Sequence, residues 1–277
     1  MSSLTRRIPK PIRSHLRAIR EGAPLARLAS TPATVRQIHR LECSTAHWGP
    51  GEENVSLRLR PLNGARIWVR PRTADLYAVK DTLIGRYHVP PVAPGDPSIR
   101  RIWDLGTNIG MTVAHYAVLF PQARIQGVEM DAANATLARR NTATWADRVD
   151  ILQSAVWATD GEIEYEREEG EELSFRAEEA TGAGGAARLT SPAISLNTLA
   201  ARWGDDAPID LVKMDIEGVE RHVLSRDTEW AARVRIILVE VHEPYDVDAC
   251  CRDLAALGFD ASPDDRHHAA VVGLRLH

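Results

Sequence analysis

The chain has 277 residues, 44% of them hydrophobic, with a net charge of −4 at pH 7 and three cysteines. This is enough apolar material for one α/β domain of good size plus an extra segment. The charge balance excludes a general attraction to nucleic acid or anionic lipid, and no apolar run reaches the length of a membrane span.

Residues 1–50 carry Arg6, Arg7, Lys10, Arg13, Arg17 and Arg20 among small and apolar residues, interrupted by Pro9, Pro11, Pro24 and Pro32. Proline breaks long helices, so short ones are expected at 12–21 and 34–41, in a solvated basic arm or partial lid. No aromatic interleaving accompanies the charge, so it does not read as a nucleic-acid surface. The arm lacks the apolar centre of a secretory signal. Cys43, Cys250 and Cys251 have neither metal spacing nor an even count, so reduced thiols and a cytoplasmic location are expected.

Residues 55–69 alternate apolar and polar around Asn63-Gly64, the signal of a β-hairpin. A helix is expected within 70–87. Residues 90–97, with four prolines, form a stiff loop and mark a boundary. The expected division is therefore an N-terminal extension and pre-core hairpin over 1–95 and a catalytic core over 96–277.

From Arg100 the pattern changes to strand-helix units. Strands are expected at 102–105, 124–128 and 149–153, at the start of 209–220 ahead of a charged turn, and at 235–243 and 271–276, with helices at 111–120, 132–146, 194–203 and 250–257. Near-continuous apolar runs suit strands buried on both faces. Repeated βα units require a parallel sheet with right-handed crossovers. Residues 162–190 break the pattern with an alternating stretch, an acidic run and a glycine-rich loop, and read as a solvated insertion or hairpin.

The first core strand runs into Asp104-Leu105-Gly106-Thr107-Asn108-Ile109-Gly110. A dinucleotide fingerprint needs a third glycine and a P-loop needs a lysine, so neither pyrophosphate nor triphosphate is expected here. The missing glycine likewise disfavours a nicotinamide-dependent reductase. An acidic turn without a phosphate cradle suits a ligand with a cationic amino-acid end, such as S-adenosylmethionine. Glu129 ends the next strand, where an acid suits the ribose hydroxyls, and Ser154-Ala155 ends the third, beside the adenine.

Residues 213–220, K-M-D-I-E-G-V-E, and the E-V-H of 240–242 bring further charges to strand ends. In an open parallel sheet, ligands bind there. If the strand that opens 209–220 lies beside the first and the one at 235–243 beside it, Asp215 and His242 converge on the turn. Lys213, Asp215 and Glu217 could equally form a structural ion-pair cluster.

Together, D-L-G-T-N-I-G at 104–110, V-E-M-D at 128–131, K-M-D-I-E-G-V-E and E-V-H resemble the FkbM-type methyltransferases, with V-R-P, Asp75 and Tyr87 resembling that family's pre-core segment. The resemblance implies a Rossmann-like methyltransferase fold with a mostly parallel seven-stranded sheet and helices on both faces. It implies S-adenosylmethionine as cofactor and O-methylation of a hydroxyl on a sugar or other natural product, with methylation of nitrogen or carboxylate as the alternative. The expected partner is that small molecule, without nucleic acid or membrane; association into a homo-oligomer is compatible with the fold. In this reading Asp104, Gly106, Asn108 and Gly110 hold the methionine end, Glu129 the ribose, and Met130, Ser154 and Ala155 the adenine. Asp215 and Lys213 stand at the reacting end, and His242 is the general base, oriented by Asp215 or Glu240. A divalent metal on Asp215 with Glu217, Glu240 or His242 is an alternative, disfavoured because the carboxylates alternate along their strands.

Overall fold

In the computed structural model, which describes residues 20–43, 53–166, 176–179, 189–203 and 208–275, the chain is organised around a seven-stranded sheet. The extension comes first. Helix α1 (Pro32–Cys43) packs beside the hairpin of β1 (Val55–Arg58) and β2 (Arg66–Val69), whose connection holds Asn63 and Gly64 at φ 52° and 71° as their sequence requires. Helix α2 (Asp75–Lys80) runs on as a wider, π-helical turn over Asp81–Gly85. The expected helix at 12–21 lies outside the described residues except at its last two positions, which are helical.

The core begins with β3 (Arg101–Leu105), α3 (Met111–Leu119), β4 (Arg124–Glu129), α4 (Ala132–Thr142) and β5 (Val149–Gln153). A smaller sheet follows: β6 (Ala155–Val156), β7 (Gly161–Glu166), β8 (Arg176–Glu179) and β9 (Leu189–Ile194), in the order β6-β9-β7-β8. This is the expected insertion; its residues 167–175 and 180–188 lie outside the described residues. The main sheet resumes with α5 (Leu196–Arg202), β10 (Ile209–Met214), α6 (Glu220–Ser225), β11 (Val234–Glu240), α7 (Val247–Ala256), β12 (Asp260–Pro263) and β13 (Ala270–Leu274).

The main sheet has the order β12-β13-β11-β10-β3-β4-β5, parallel from β11 to β5 and antiparallel at β12 and β13. Every residue of β10 is buried, as a central strand covered on both faces must be. Two expectations are corrected. Ile194 ends β9, and the helix starts only at Leu196, where Ser195 caps it by accepting from the Thr198 N–H at 3.2 Å. Residues 260–263 form a strand the sequence did not signal.

The extension does not stand apart. Leu57, Leu59, Ile67, Val69 and Val79 share one apolar cluster with Ile109, Met111 and Leu137 of the core. Buried Asn141 on α4 ties the two together: it accepts from the Trp68 N–H at 2.7 Å and donates to the carbonyls of Trp68 and Ile109 at 3.0 and 2.8 Å. Among the described residues no helix is long and apolar enough to cross a membrane.

Candidate active site

The chain order reverses between β3 and β10: β4 and β5 lie to one side of β3, β10 and β11 to the other. The carboxyl ends of strands flanking such a switch point leave a crevice for a ligand. Here it is an open cleft enclosing about 1160 Å³ of empty space, solvent at its mouth included.

Its floor is the turn after β3. Gly106 and Gly110 sit at φ +81° and +82°, which glycine alone adopts readily, and Asn108 at 50°. Gly106 is needed for a backbone contact: a Cβ there would stand 1.6 Å from the Asp215 carbonyl oxygen. Gly110 lets α3 approach α4, since its Cβ would lie 3.0 Å from the Ala138 Cα. The sequence assigned Gly110 to the ligand; it packs helices and does not line the cleft. Asp104 is fully buried below the turn, also outside the lining. It accepts from the Thr107 hydroxyl at 3.2 Å, while its Oδ1 and the Asn108 Oδ1 are buried without a hydrogen-bond partner. Burial pushes the Asp104 carboxyl up to about 6, against the lowering charge of Lys213.

Glu129 closes one side. Its Oε2 accepts from the Asn108 N–H at 2.7 Å and its Oε1 from the Asp131 N–H at 2.8 Å, so two backbone donors fix the carboxylate. Burial still outweighs them and raises it to about 7. Beside it, Asp131 caps α4 by accepting from the Asn134 N–H, and the Asn134 side chain accepts from Arg70 at 2.7 Å. Arg70 in turn forks onto Asp75 at the start of α2 at 2.9 and 2.7 Å. This chain of contacts fixes α2 over the cleft. Met130, Ser154 and Ala155 line the same side, as expected, together with Trp157.

The opposite end is acidic. Lys213, opposite Asp104 in the parallel register, reaches the Asp215 carboxylate at 2.6 Å. Burial would lower that lysine and raise that carboxyl; their mutual attraction outweighs it, leaving Lys213 above and Asp215 below their ordinary values. Glu217 is pushed up to about 8 by burial and by the Asp215 charge. Burial also raises Glu240, which accepts a short hydrogen bond from the Tyr87 hydroxyl.

His242 is brought to this end, as expected, but not into the lining. Its Nδ1 lies 2.8 Å from Oε1 of fully buried Glu220, and its Nε2 lies 3.4 Å from Glu217 and 3.7 Å from Asp215. Burial alone would lower the imidazole; the Glu220 hydrogen bond and the charges of Asp215 and Glu217 push it up to about 9. These surroundings favour the protonated imidazole over the free base read from the sequence. The inference that alternation keeps the carboxylates apart is corrected. It considered each strand singly, whereas β10 and β11 are neighbours and their tips bring ligand atoms of Asp215, Glu240 and His242 within 4.8 Å of one another.

The cleft also takes Tyr77, Asp81, Thr82, Tyr87 and His88 from the pre-core segment. Of these the family resemblance marked only Tyr87; an acid and a threonine on one helical turn give no signal of a site until that turn is folded over the strand ends.

A family model described as the methyltransferase FkbM domain matches residues 104–261. Over 60 residues, 19% of this chain, the sequence is 42% identical to the tRNA1(Val) (adenine(37)-N6)-methyltransferase of Porphyromonas gingivalis, and the match spans about a quarter of that relative's length (24%). Similar solved structures include Aeropyrum pernix fibrillarin with natively bound S-adenosyl-L-methionine (17% identity, 81% of this chain and 85% of that one, TM-score 0.42). Another is precorrin-6y C5,15-methyltransferase of Geobacter metallireducens (10% identity, 70% and 87%, TM-score 0.41).

Proposed function

The chain belongs to the FkbM methyltransferase family, and we propose that it is an S-adenosylmethionine-dependent methyltransferase acting on a hydroxyl of a small molecule, a sugar or natural product. The observation that carries this reading is the set of carboxyl groups at the cleft's far end. Asp81, Asp215, Glu217 and Glu240 line it, and the one lysine among them is already paired with Asp215. Such a wall leaves no lysine or arginine of the lining free to meet the phosphates of a nucleic acid, and it offers donors and acceptors to hydroxyl groups.

The cofactor's site fits on features of the fold itself. Asn108, which lines the cleft, has a buried Oδ1 that lacks a donor, which an ammonium group would supply. Glu129, fixed from behind by two N–H groups, presents its remaining lone pairs to ribose hydroxyls. Met130, Ser154 and Ala155 take the adenine side. When bound, the cofactor supplies a methyl group already activated on a sulfonium.

The residues then have to orient the hydroxyl and take its proton. Asp215 is placed to take that proton, because it lines the cleft and the Lys213 ammonium keeps its carboxylate ionised. Lys213 fixes Asp215, and Tyr87 fixes Glu240, so both carboxylates are held at the cleft wall. His242 supports this wall from behind, held by Glu220. A cytoplasmic location is proposed on the reduced thiols: Cys43, Cys250 and Cys251 form no disulfide.

The test is a transfer assay with cofactor carrying a labelled methyl group, offered hydroxyl-bearing sugars and polyketide-like alcohols in one arm and RNA in the other. Label on an oxygen of a small molecule is expected. Label on RNA alone, or on nitrogen, overturns the reading.

A further inference from the structure

We propose that Asp215, Glu240 and His242 bind a divalent cation at the acceptor end of the cleft; this rests on the methyltransferase reading of that cleft. Asp215 follows β10, Glu240 ends β11 and His242 lies just beyond, so adjacent parallel strands deliver all three side chains to one point. One ligand atom from each lies within 4.8 Å of the others. Oxygens and nitrogens bound to one ion at roughly 2.0–2.4 Å stand up to about 4.5 Å apart, so small side-chain adjustments bring this set onto a single ion.

The arrangement behind the three residues favours an ion over a simple ion-pair cluster. Each side chain has its other polar atom held by a different neighbour. Lys213 holds Asp215 Oδ2 at 2.6 Å, the Tyr87 hydroxyl holds Glu240 Oε2, and Glu220 engages His242 Nδ1 at 2.8 Å. Outer groups of this kind orient metal ligands, and a carboxylate behind a ligating histidine is their commonest form. What remains is one oxygen from each carboxylate and the imidazole Nε2, which lies 3.4 Å from Glu217 and 3.7 Å from Asp215, so the ion would take the place of the Nε2 proton there. Lys213 also prevents Asp215 from chelating with both oxygens, so the residue would bind through Oδ1.

Two carboxylates and one imidazole suit Mg²⁺, Mn²⁺, Fe²⁺ or Zn²⁺ and fill only part of the coordination shell. The open positions face the cleft through Asp215 and Glu240, both of which line it. A hydroxyl coordinated there becomes more acidic; with Asp215 engaged as a ligand, its proton leaves to water at the mouth while the electron pair stays on oxygen. The ion would thus select acceptors with two neighbouring oxygens.

The experiment titrates Mn²⁺ into the full-length protein after treatment with chelator, following the electron paramagnetic resonance signal of free Mn²⁺, with S-adenosylhomocysteine binding measured by calorimetry on the same samples. One Mn²⁺ per chain is expected, with affinity at least tenfold weaker in Glu240→Gln and His242→Gln and unchanged in Glu162→Gln on the exposed insertion. Where either variant fails to fold, Tyr87→Phe removes only the hydroxyl behind Glu240 and is expected to weaken Mn²⁺ about tenfold. Wild-type protein that leaves the Mn²⁺ signal unchanged, or variants that bind it as wild type does, overturn the site. If S-adenosylhomocysteine still binds in that case, the methyltransferase reading stands and the cation alone is rejected; if it does not bind, the reading of the cleft itself fails.

Discussion

Gly106 and Asp215 meet backbone to backbone: the turn after β3 lies against the carbonyl that follows β10, at a distance no side chain on residue 106 tolerates. Gly106→Ala adds a Cβ at φ +81° and 1.6 Å from that oxygen, so the turn and the β10 tip must separate. The expected cost is at least about 2 kcal/mol, visible as a lowered Tm, together with loss of S-adenosylhomocysteine binding by calorimetry. A variant that melts and binds like wild type would show that the contact does not constrain the site.

With Glu129 holding the ribose, as proposed, cofactor affinity should depend on pH. The folded pKa of Glu129, about 7, lies above the ordinary 4.5, so the ligand-free fold gains stability from the proton below 4.5 and loses it as pH rises through 7. Ribose hydroxyls donate to the ionised form, so binding below pH 7 must expel a proton. S-adenosylhomocysteine affinity should therefore rise up to about tenfold per pH unit between 5.5 and 7 and level off above 8. Asp104, at about 6, adds to the lower part of that range. Glu129→Gln should bind roughly 10–100 times more weakly, as loss of charge-assisted hydrogen bonds implies, and flatten the profile. A profile unchanged by the substitution would assign the dependence elsewhere.

Asn141 answers three backbone groups at once. Asn141→Ala leaves the Trp68 N–H and the Trp68 and Ile109 carbonyls without it, at the seam between the hairpin and the core. A destabilisation of about 3 kcal/mol is expected, or roughly 6–12 °C in Tm for a chain of this size. Limited proteolysis should then cut first near the hairpin. Cutting elsewhere first would mean that the seam is held by its apolar contacts alone.

Arg70 and Asp75 form a pair in which the acid is almost wholly buried, 1% exposed, and the arginine side chain 17%. Arg70→Met leaves that carboxylate without its main partner and Asn134 without its donor. About 3 kcal/mol of stability and a measurable part of the cofactor affinity should be lost, by thermal melting and calorimetry. Arg70→Met combined with Asp75→Leu should recover part of the stability but not the affinity. Equal stability for the single and double variants would argue against an uncompensated buried charge.

The sequence made the cofactor half of the cleft legible because its constraints are local. Gly106 and Asn108 announce a left-handed turn, and Glu129 ends an apolar run one βα unit later. The acceptor half depends on neighbours far apart in the chain. Asp81, Thr82 and His88 gain meaning only when α2 is folded across the strand ends, and the state of His242 depends on Glu220, which precedes it by a whole helix and strand. The strand at 260–263 escaped notice because Asp, Ser and Pro are poor strand formers. An outermost position tolerates a proline, which a central one would not.

That outermost position has a consequence for how molecules meet. A β-sheet that ends in a bare strand offers its row of donors and acceptors to any similar sheet that collides with it. In β12 the final residue, Pro263, lacks an N–H, and the strand is only Asp260–Pro263, so a second sheet docking there finds an interrupted ladder. This rim of the protein is therefore a poor template for stacking into larger arrays.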